Sequence, residues 1–299
     1  MNLDQLELPT HIFTGSDIWI EGPEAPRATV RMKRLVDLPV NARRPFEWNG
    51  RPYLALGLEE AQSGAARAQG LSRLPIRQGL ALWSDEELRP ALKALALLNW
   101  LATSRFCGAC GAALAAATAT EPAAAAFTGP AAATATGPAA AKGNPAKGAA
   151  ALDPDSSALT CPACGHAHFP RISPAVIVLV RKEGKALLAR NARFPPGGRF
   201  GLLAGFVEAG ETLEEAAARE VLEESGLRIE ALRYVSSQPW PFPDSLMLAF
   251  TAEWAGGEAR PDGREIAELR WCGPDEMPDI PPRGSVARRL IDEFCLGNS

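Results

Sequence analysis

Runs of apolar residues predict strands in both halves of the chain. Two short runs, His11–Phe13 and Tyr53–Leu56, lie among turn-forming residues in the first hundred positions. Two further runs, Ala175–Val180 and Ala186–Ala189, are continuously apolar, which is typical of buried strands. The chain is therefore expected to be an α+β protein with an N-terminal domain and a later sheet-forming domain.

A helix is predicted to separate these regions. Residues Ala91 to Leu101 are rich in alanine and leucine, which favour helix. The preceding Ser84–Glu87 resembles a capping box, but Pro90 indicates that the main helix begins at the proline, because proline suits the first helical turn.

Composition and charge narrow the function. The 299 residues include 31 basic and 35 acidic side chains, a net charge of -4, which argues against a protein that holds nucleic acid by bulk electrostatics. A local basic patch remains compatible with this charge. No apolar run approaches the ~18 residues of a membrane span, and the N-terminus lacks the layout of a signal peptide. We expect a cytoplasmic protein that does not bind membranes.

An alanine-rich tract interrupts the middle of the chain. Residues Ala112 to Leu152 contain 21 alanines in 41 positions, mixed with Gly, Pro and Thr. Alanine favours helix, but glycine and proline recur too often for a helix to propagate. The tract is predicted to be a disordered or loosely helical insertion, with a docked structural element as the alternative.

Four cysteines predict a metal site on either side of this tract. They occur as two C-x-x-C-G knuckles, in which the glycine permits the tight turn that lets both thiolates reach one ion: Cys107, Cys110, Cys161 and Cys164. The pattern favours a closed structural Zn²⁺ site. Four unrelated thiols or two redox-active pairs are the alternatives. Two nearby histidines, His166 and His168, are expected to be surface residues rather than ligands.

A glutamate-rich helix is predicted to carry the chemistry. Thr212 and Glu215 form a capping box, and Gly226 is placed to end the helix. Three carboxylates occupy positions i, i+3 and i+4 on one face of this helix: Glu220, Glu223 and Glu224. Such a face either disperses its charge into water or binds a hard cation such as Mg²⁺ or Mn²⁺. Arg219 within the cluster could order the carboxylates, which favours the cation.

The segment Gly205–Leu227 resembles the Nudix box at every fixed position. The resemblance implies an α/β/α sandwich that hydrolyses a diphosphate joined to a nucleoside, using Mg²⁺ or Mn²⁺. Further on, Ser237–Ser245 alternates prolines with aromatic residues and is similar to the motif of the NADH pyrophosphatases within this family. That subfamily also has a four-cysteine zinc ribbon and a separate N-terminal α/β domain before the Nudix domain. The domains are thus expected at 1–104, at 105–170 with the insertion at 112–158, and at 171–299.

The resemblance also implies roles for individual residues. Glu220 and Glu224 would bind the catalytic metal, together with the backbone of Ala204 and Glu265; Glu268 is the rival of Glu265. Glu223 would be a further ligand or the general base. The implied substrate-binding residues are Arg77, Phe169, Phe206, Gln238, Pro239, Trp240, Pro241, Phe242, Pro243, Asp244, Ser245 and Ala287.

The function implied by the resemblance is hydrolysis of NADH or NAD to NMNH or NMN and AMP. In this subfamily it extends to removal of the NAD cap from RNA 5′ ends by a homodimer. Two alternatives stay open at this point. One is a Nudix hydrolase of another nucleotide such as ADP-ribose, and the other is a non-catalytic zinc-ribbon module that binds RNA or a nucleotide. The intact set of glutamates argues against the second.

Overall fold

The computed structural model describes residues 8–22, 27–31, 42–114 and 158–297, which form two compact units. The first comprises residues 1–75 and 89–170, and the second comprises 76–88 and 171–299. The helices are α1 (Ser63–Ala68), α2 (Ile76–Leu82), α3 (Asp85–Thr103), α4 (Leu213–Ser225) and α5 (Val286–Cys295). The strands are β1 (Pro9–Thr14), β2 (Asp17–Glu21), β3 (Val30–Arg31), β4 (Ala42–Trp48), β5 (Arg51–Gly57), β6 (Leu71–Pro75), β7 (Leu159–Thr160), β8 (Ala167–His168), β9 (Ser173–Lys182), β10 (Lys185–Asn191), β11 (Leu203–Phe206), β12 (Arg228–Trp240), β13 (Ser245–Gly256) and β14 (Ile266–Cys272).

The first unit contains a sheet of order β4-β5-β1-β2-β6, with β3 paired to β1. Strand β1 runs parallel to β5 and antiparallel to β2, and it contains the predicted strand His11–Phe13. The predicted strand Tyr53–Leu56 lies in β5. Ile12, Trp19 and Leu54 are fully buried in the core of this unit because their side chains alternate onto the inner face of the sheet.

Helix α3 begins earlier than the sequence predicts. It starts at Asp85, five residues before Pro90, and ends at Thr103. The backbone N–H groups of Glu87 and Leu88 donate to the carbonyl of Ser84, so a hydrogen-bonded turn precedes the proline. The prediction that the helix begins at Pro90 is therefore wrong. Proline removes one backbone donor, and here it does so in the second turn of a long helix rather than the first.

The second unit is a sheet covered by a helix on each face. The strand order is β12-β13-β9-β10-β14, and β11 pairs with β9. On one face, Val176 and Val178 pack with Ala217 and Val221 of α4; on the other, Leu179 packs with residues of α5. The predicted strands Ala175–Val180 and Ala186–Ala189 are β9 and β10. This arrangement confirms the expected α/β/α sandwich.

A segment from before the cysteines belongs to this second unit. Residues Ile76–Leu88, which include α2, group with residues 171–299. The contact with the loop before α5 is close, since a Cβ added at Gly284 would lie 1.7 Å from the carbonyl oxygen of Leu80. The three domain boundaries from the sequence stay predictions, because these units follow packing rather than chain order.

Two further expectations from the sequence concern a membrane span and the alanine-rich insertion. In the described part of the chain, no helix combines the length and apolarity that crossing a membrane requires. Most of the predicted insertion at 112–158, namely residues 115–157, lies outside the described residues.

Candidate active site

Helix α4 has the ends that its sequence predicts. The hydroxyl of Thr212 accepts from the backbone N–H of Glu215, and the Glu215 carboxylate accepts from the backbone N–H of Thr212. At the other end Gly226 has φ of 72°, the left-handed conformation that glycine adopts without strain. The capping box and the glycine therefore fix where the helix begins and ends, and so which carboxylates lie on the same side of it.

Arg219 connects the loop before α4 to the carboxylates of the helix. Its Nε and Nη2 donate to the two oxygens of Glu211 at 2.5 and 2.9 Å. Its Nη1 donates to Glu220 at 2.9 Å and to Glu223 at 3.0 Å, and its Nη2 also donates to the carbonyl of Phe206. These bonds to Arg219, with a backbone bond from Glu208, lower the pKa of Glu211 to about 2. The arginine thus orders the acidic cluster, as the sequence predicts.

Glu224 is the buried member of the cluster, with 5% of its surface exposed. Its Oε2 accepts from the backbone N–H of Ala204 at 3.2 Å. Burial raises the pKa of Glu224 to about 8, the Ala204 bond opposes the rise, and the charges of Glu220, Glu265 and Asp262 add to it. A carboxyl held among like charges in this way favours a bound cation, which would restore its ionised form.

Glu220 packs directly on the backbone of β11. A Cβ added at Gly205 would lie 1.9 Å from the carboxyl carbon of Glu220, so only glycine leaves room for this carboxylate. Burial raises the pKa of Glu220, while the bonds from Arg219 lower it and the charges of Glu223 and Glu265 raise it. The first glycine of the Nudix box therefore serves the close approach of a carboxylate to the sheet.

The geometry distinguishes Glu265 from its rival Glu268. Glu268 accepts hydrogen bonds from Arg270 at 2.9 Å and from Arg190 at 3.2 Å, and these bonds lower its pKa. Glu265 immediately precedes β14, and its charge raises the pKa of both Glu220 and Glu224. Glu268 is bound by two arginines, whereas the charge of Glu265 acts on Glu220 and Glu224.

The donor set of Glu220, Glu224 and Glu265 suits a hard divalent cation, since all of its ligand atoms are oxygens. Within the described residues, no arginine or lysine bonds to the carboxylate of Glu224 or Glu265. Neither of these two carboxyl groups therefore has a positively charged side-chain partner among the described residues. Such an arrangement has the chemistry to hold a divalent cation.

The aromatic hairpin between β12 and β13 meets α2 within the second unit. The rings of Trp240 and Phe242 lie edge to face at 5.1 Å between centroids. The guanidinium of Arg77 lies 4.4 Å from the ring centre of Phe242 and 5.6 Å from that of Trp240. The structure thus brings Arg77 and two of the predicted aromatic residues together as one cationic and aromatic surface.

Other predicted substrate residues are engaged within the protein. Gln238 donates to the carbonyl of Gly284 and accepts from the N–H of Val286, both at 2.8 Å, so its amide holds the start of α5. Asp244 lies 3.4 Å from Arg171, and Ala287 packs partly buried on the α5 side of the sheet.

Phe206 shares a row across the sheet with Gln238. Phe206 pairs with Ala175, Ala175 pairs with Met247, and Met247 pairs with Gln238. The Phe206 ring is 56% exposed on this row, which is the α5 side of the sheet. Phe169 belongs to the first unit and is 67% exposed.

The four predicted cysteines form a cluster in the first unit. Their Sγ atoms all lie within 4.8 Å of one another, and two of the pairs, Cys107–Cys164 and Cys110–Cys161, are separated by 3.7 Å. Zn–S bonds of about 2.3 Å in a tetrahedron place sulfurs about 3.8 Å apart, so this spacing fits a closed zinc site. The cluster supports the predicted zinc ribbon.

His168 makes a contact with the cluster that the sequence does not predict. Its Nε2 lies 3.2 Å from Cys107 Sγ, and its ring packs edge to face with that of His166. The imidazole therefore contacts the cysteine cluster from outside the four sulfurs. His168 was expected to be a surface residue, but it contacts a cysteine 61 positions away in the chain, and no local pattern indicates that contact.

Comparisons with known proteins agree with this fold. Residues 170–294 match the NUDIX domain family. The chain is 34% identical over 298 residues to NAD-capped RNA hydrolase NudC of Chromobacterium violaceum, covering 97% of this chain and 93% of that protein. It is 37% identical to the protein of the same name from Stutzerimonas stutzeri, covering 88% and 80%. The chain belongs to the Nudix hydrolase family, in the group of the proteins named NAD-capped RNA hydrolase NudC.

Proposed function

We propose that this protein hydrolyses the diphosphate bond of NADH or NAD, giving NMNH or NMN and AMP, and that it removes the NAD cap from RNA 5′ ends. The observation that carries the proposal is the similarity to an NAD-capped RNA hydrolase over 97% of the chain, because it includes the cysteine knuckles and the aromatic hairpin as well as the Nudix box.

The carboxylates of the second unit would hold the catalytic cation, with Glu220, Glu224 and Glu265 as side-chain ligands and the backbone of Ala204 as a further ligand. When bound, Mg²⁺ or Mn²⁺ would neutralise the charge of the diphosphate and acidify a coordinated water. Arg219 fixes Glu220 in place, and the Ala204 N–H fixes Glu224. The chain itself would contribute a binding site for the cation in which two of the carboxylates are held in place by hydrogen bonds.

Glu223 is our candidate for the general base. Its Oε2 accepts from Arg219 at 3.0 Å, and within the described residues its Oε1 has no hydrogen-bond partner. The side chain is more than half exposed, so water can reach it. One oxygen would thus orient the carboxylate while the other accepts a proton from the attacking water.

The surface formed by Arg77, Trp240 and Phe242 would bind the dinucleotide. The half-buried rings of Trp240 and Phe242 would offer an aromatic face to the flat rings of nicotinamide or adenine, and the exposed guanidinium of Arg77 would offer donors to a phosphate. Phe206 would contribute a further ring, and Phe169 is proposed for the same role. Gln238 would act indirectly, since its amide already holds the backbone at Gly284 and Val286. The remaining hairpin residues, with Ala287, would line the pocket.

The test is product analysis with three substrates. The purified protein in Mg²⁺ or Mn²⁺ buffer is expected to convert NADH to NMNH and AMP, and to convert NAD-capped RNA to 5′-monophosphate RNA. ADP-ribose serves as the competing substrate. A higher kcat/KM for ADP-ribose than for NADH and for the capped RNA would contradict the proposal, and no turnover of any of them would indicate a binding module.

We propose that Cys107, Cys110, Cys161 and Cys164 hold one structural Zn²⁺. The homodimer and the cytoplasmic location stay predictions from the sequence. Metal analysis of the purified protein tests the zinc site. Light scattering tests the homodimer, and cell fractionation tests the cytoplasmic location.

A further inference from the structure

We infer that Asp262 is a positioning residue, which holds the loop that presents Glu265 to the catalytic cation. This inference rests on the proposed function of the carboxylate cluster and deepens it. The three proposed carboxylate ligands are held in different ways.

Glu220 and Glu224 are fixed through their side chains. Arg219 donates to the carboxylate of Glu220, and the backbone N–H of Ala204 donates to that of Glu224. For Glu265, no hydrogen bond or ion pair reaches the carboxylate from the described residues. The position of this third carboxylate therefore depends on its backbone.

That backbone is bound on both sides. The carbonyl of Glu265 accepts from the N–H of Ala192 at 2.7 Å. The N–H of Glu265 donates to both oxygens of Asp262 at 3.2 Å, and the N–H of Ile266 donates to Asp262 Oδ1 at 2.8 Å. The N–H of Arg264 donates to the same oxygen at 3.2 Å. One carboxylate thus collects three consecutive backbone donors around Glu265.

The sheet is irregular at the same place. Arg190 pairs with Glu268, but the next residue, Asn191, pairs with Ile266, so Ala267 is an extra residue in β14. Bulges of this kind bend a strand and redirect its side chains, and they are frequent beside active sites. The pairing of β14 with β10 reaches Ile266 and does not include Glu265. The backbone N–H groups of the turn at 264–266 find their acceptors on Asp262 instead.

The charge of Asp262 lies close enough to Glu224 to act on it, so a direct ligand role must be separated from positioning. Asparagine separates them, because it keeps Oδ1 as an acceptor for the backbone N–H groups but has no charge. Alanine removes both. Positioning predicts that Asp262→Asn retains most function and that Asp262→Ala does not.

The experiment measures Mn²⁺ binding to the full-length, zinc-loaded protein by the electron paramagnetic resonance signal of free Mn²⁺. We expect Asp262→Ala to weaken Mn²⁺ binding about tenfold, a loss of the size found for outer contacts of metal sites. We expect Asp262→Asn to stay within about threefold of the wild type, since its Oδ1 preserves the turn. Asp275→Ala, at an exposed turn aspartate, is the matched control and is expected to have no effect.

A double-mutant cycle with Glu265→Gln makes the test specific. If Asp262 acts through Glu265, Asp262→Ala adds little to the defect of Glu265→Gln. An additive defect, or an asparagine variant as weak as the alanine variant, would overturn the inference. Mn²⁺ binding does not depend on which nucleotide is hydrolysed. Failure of NADH hydrolysis in the wild type would therefore count against the proposed function and leave this result intact.

Discussion

Each unit of this protein brings together side chains of one chemical type, cysteines in the first unit and glutamates in the second, but the spacing differs. The first unit brings four sulfurs within 4.8 Å of one another, and this is the one group of three or more metal-type ligands that is so compact in the part of the chain the structure describes. The second unit brings together carboxylates that stay farther apart and act on one another through charge. Four sulfurs complete a tetrahedron and leave no position for a substrate. Carboxylates around a hard cation leave positions for water and phosphate oxygens.

This contrast suggests a division of labour. A closed metal site stabilises the fold. An open site with several carboxylates close together lowers stability through charge repulsion, but it can bind a substrate. Mutations in the cysteines should therefore change stability first, and mutations in the carboxylates should change turnover first.

The largest effect is expected for Cys161→Ser. Zinc binding at structural sites is worth on the order of 10 kcal/mol, and loss of one buried thiolate forfeits much of it. We expect the variant to lose zinc, to melt at a lower temperature and to be less soluble, while its molecules that remain folded keep most of their turnover. Metal analysis, thermal melting and NADH turnover measure the three. Cys295→Ser, outside the cluster, is the control. A zinc-free wild type would contradict the site.

Glu224→Gln is expected to lower turnover and to leave stability unchanged, the reverse of Cys161→Ser. The substitution keeps the shape of the side chain and removes the charge of one ligand from the proposed cation-binding site, so we expect at least about 100-fold lower turnover of NADH. Stability should not fall, because the pKa of about 8 shows that the ionised form is costly in this buried position. Glu214→Gln, in the first turn of the same helix, is the matched control. A folded variant with near-normal activity would refute the assignment of Glu224.

Most of this site was accessible from the sequence because its chemistry is local. The capping box at Thr212, the left-handed Gly226 and the shared helix face depend on spacings of a few residues, and the structure has all three. The knuckle cysteines were accessible for the same reason. Local rules failed at Pro90, where the hydrogen-bonded turn from Ser84 starts α3 before the proline.

Features that depend on strand register were not accessible. Spacing could not separate Glu265 from Glu268, because the difference lies in Arg190, which pairs with Glu268 across two strands far apart in sequence. The contact of His168 with Cys107 spans the undescribed residues and was missed. The grouping of Ile76–Leu88 with the second unit likewise depends on packing that no pattern in the segment itself indicates.

A smaller effect is expected for Gly205→Ala, which tests how the open site holds a carboxylate. The added Cβ would lie 1.9 Å from the carboxyl carbon of Glu220, so that side chain must move away from the strand. We expect at least a roughly 30-fold loss of turnover with a fold that still melts cooperatively, since a misplaced catalytic group is costly. Gly201→Ala is the control, because a Cβ there meets no atom within 4 Å. Equal activity of both variants would show that Glu220 has room to adjust.

The smallest effect concerns His11, a buried polar group in the first unit that belongs to neither the cysteine cluster nor the carboxylate cluster. Its ring stacks on Tyr53, its Nδ1 lies 2.6 Å from the carbonyl of Ala28, and burial lowers its pKa to about 4, although the Ala28 bond opposes this. The unfolded chain, with a histidine pKa near 6.5, binds the proton more readily. Stability is therefore complete above about pH 6.5 and falls as the pH drops toward 4; at pH 5.5 the loss amounts to about 1.4 kcal/mol. Chemical denaturation between pH 8 and 5.5 measures it. His11→Asn, which keeps a donor for Ala28 but does not titrate, should abolish this part of the pH dependence; an unchanged pH profile in the variant would assign the effect to other groups.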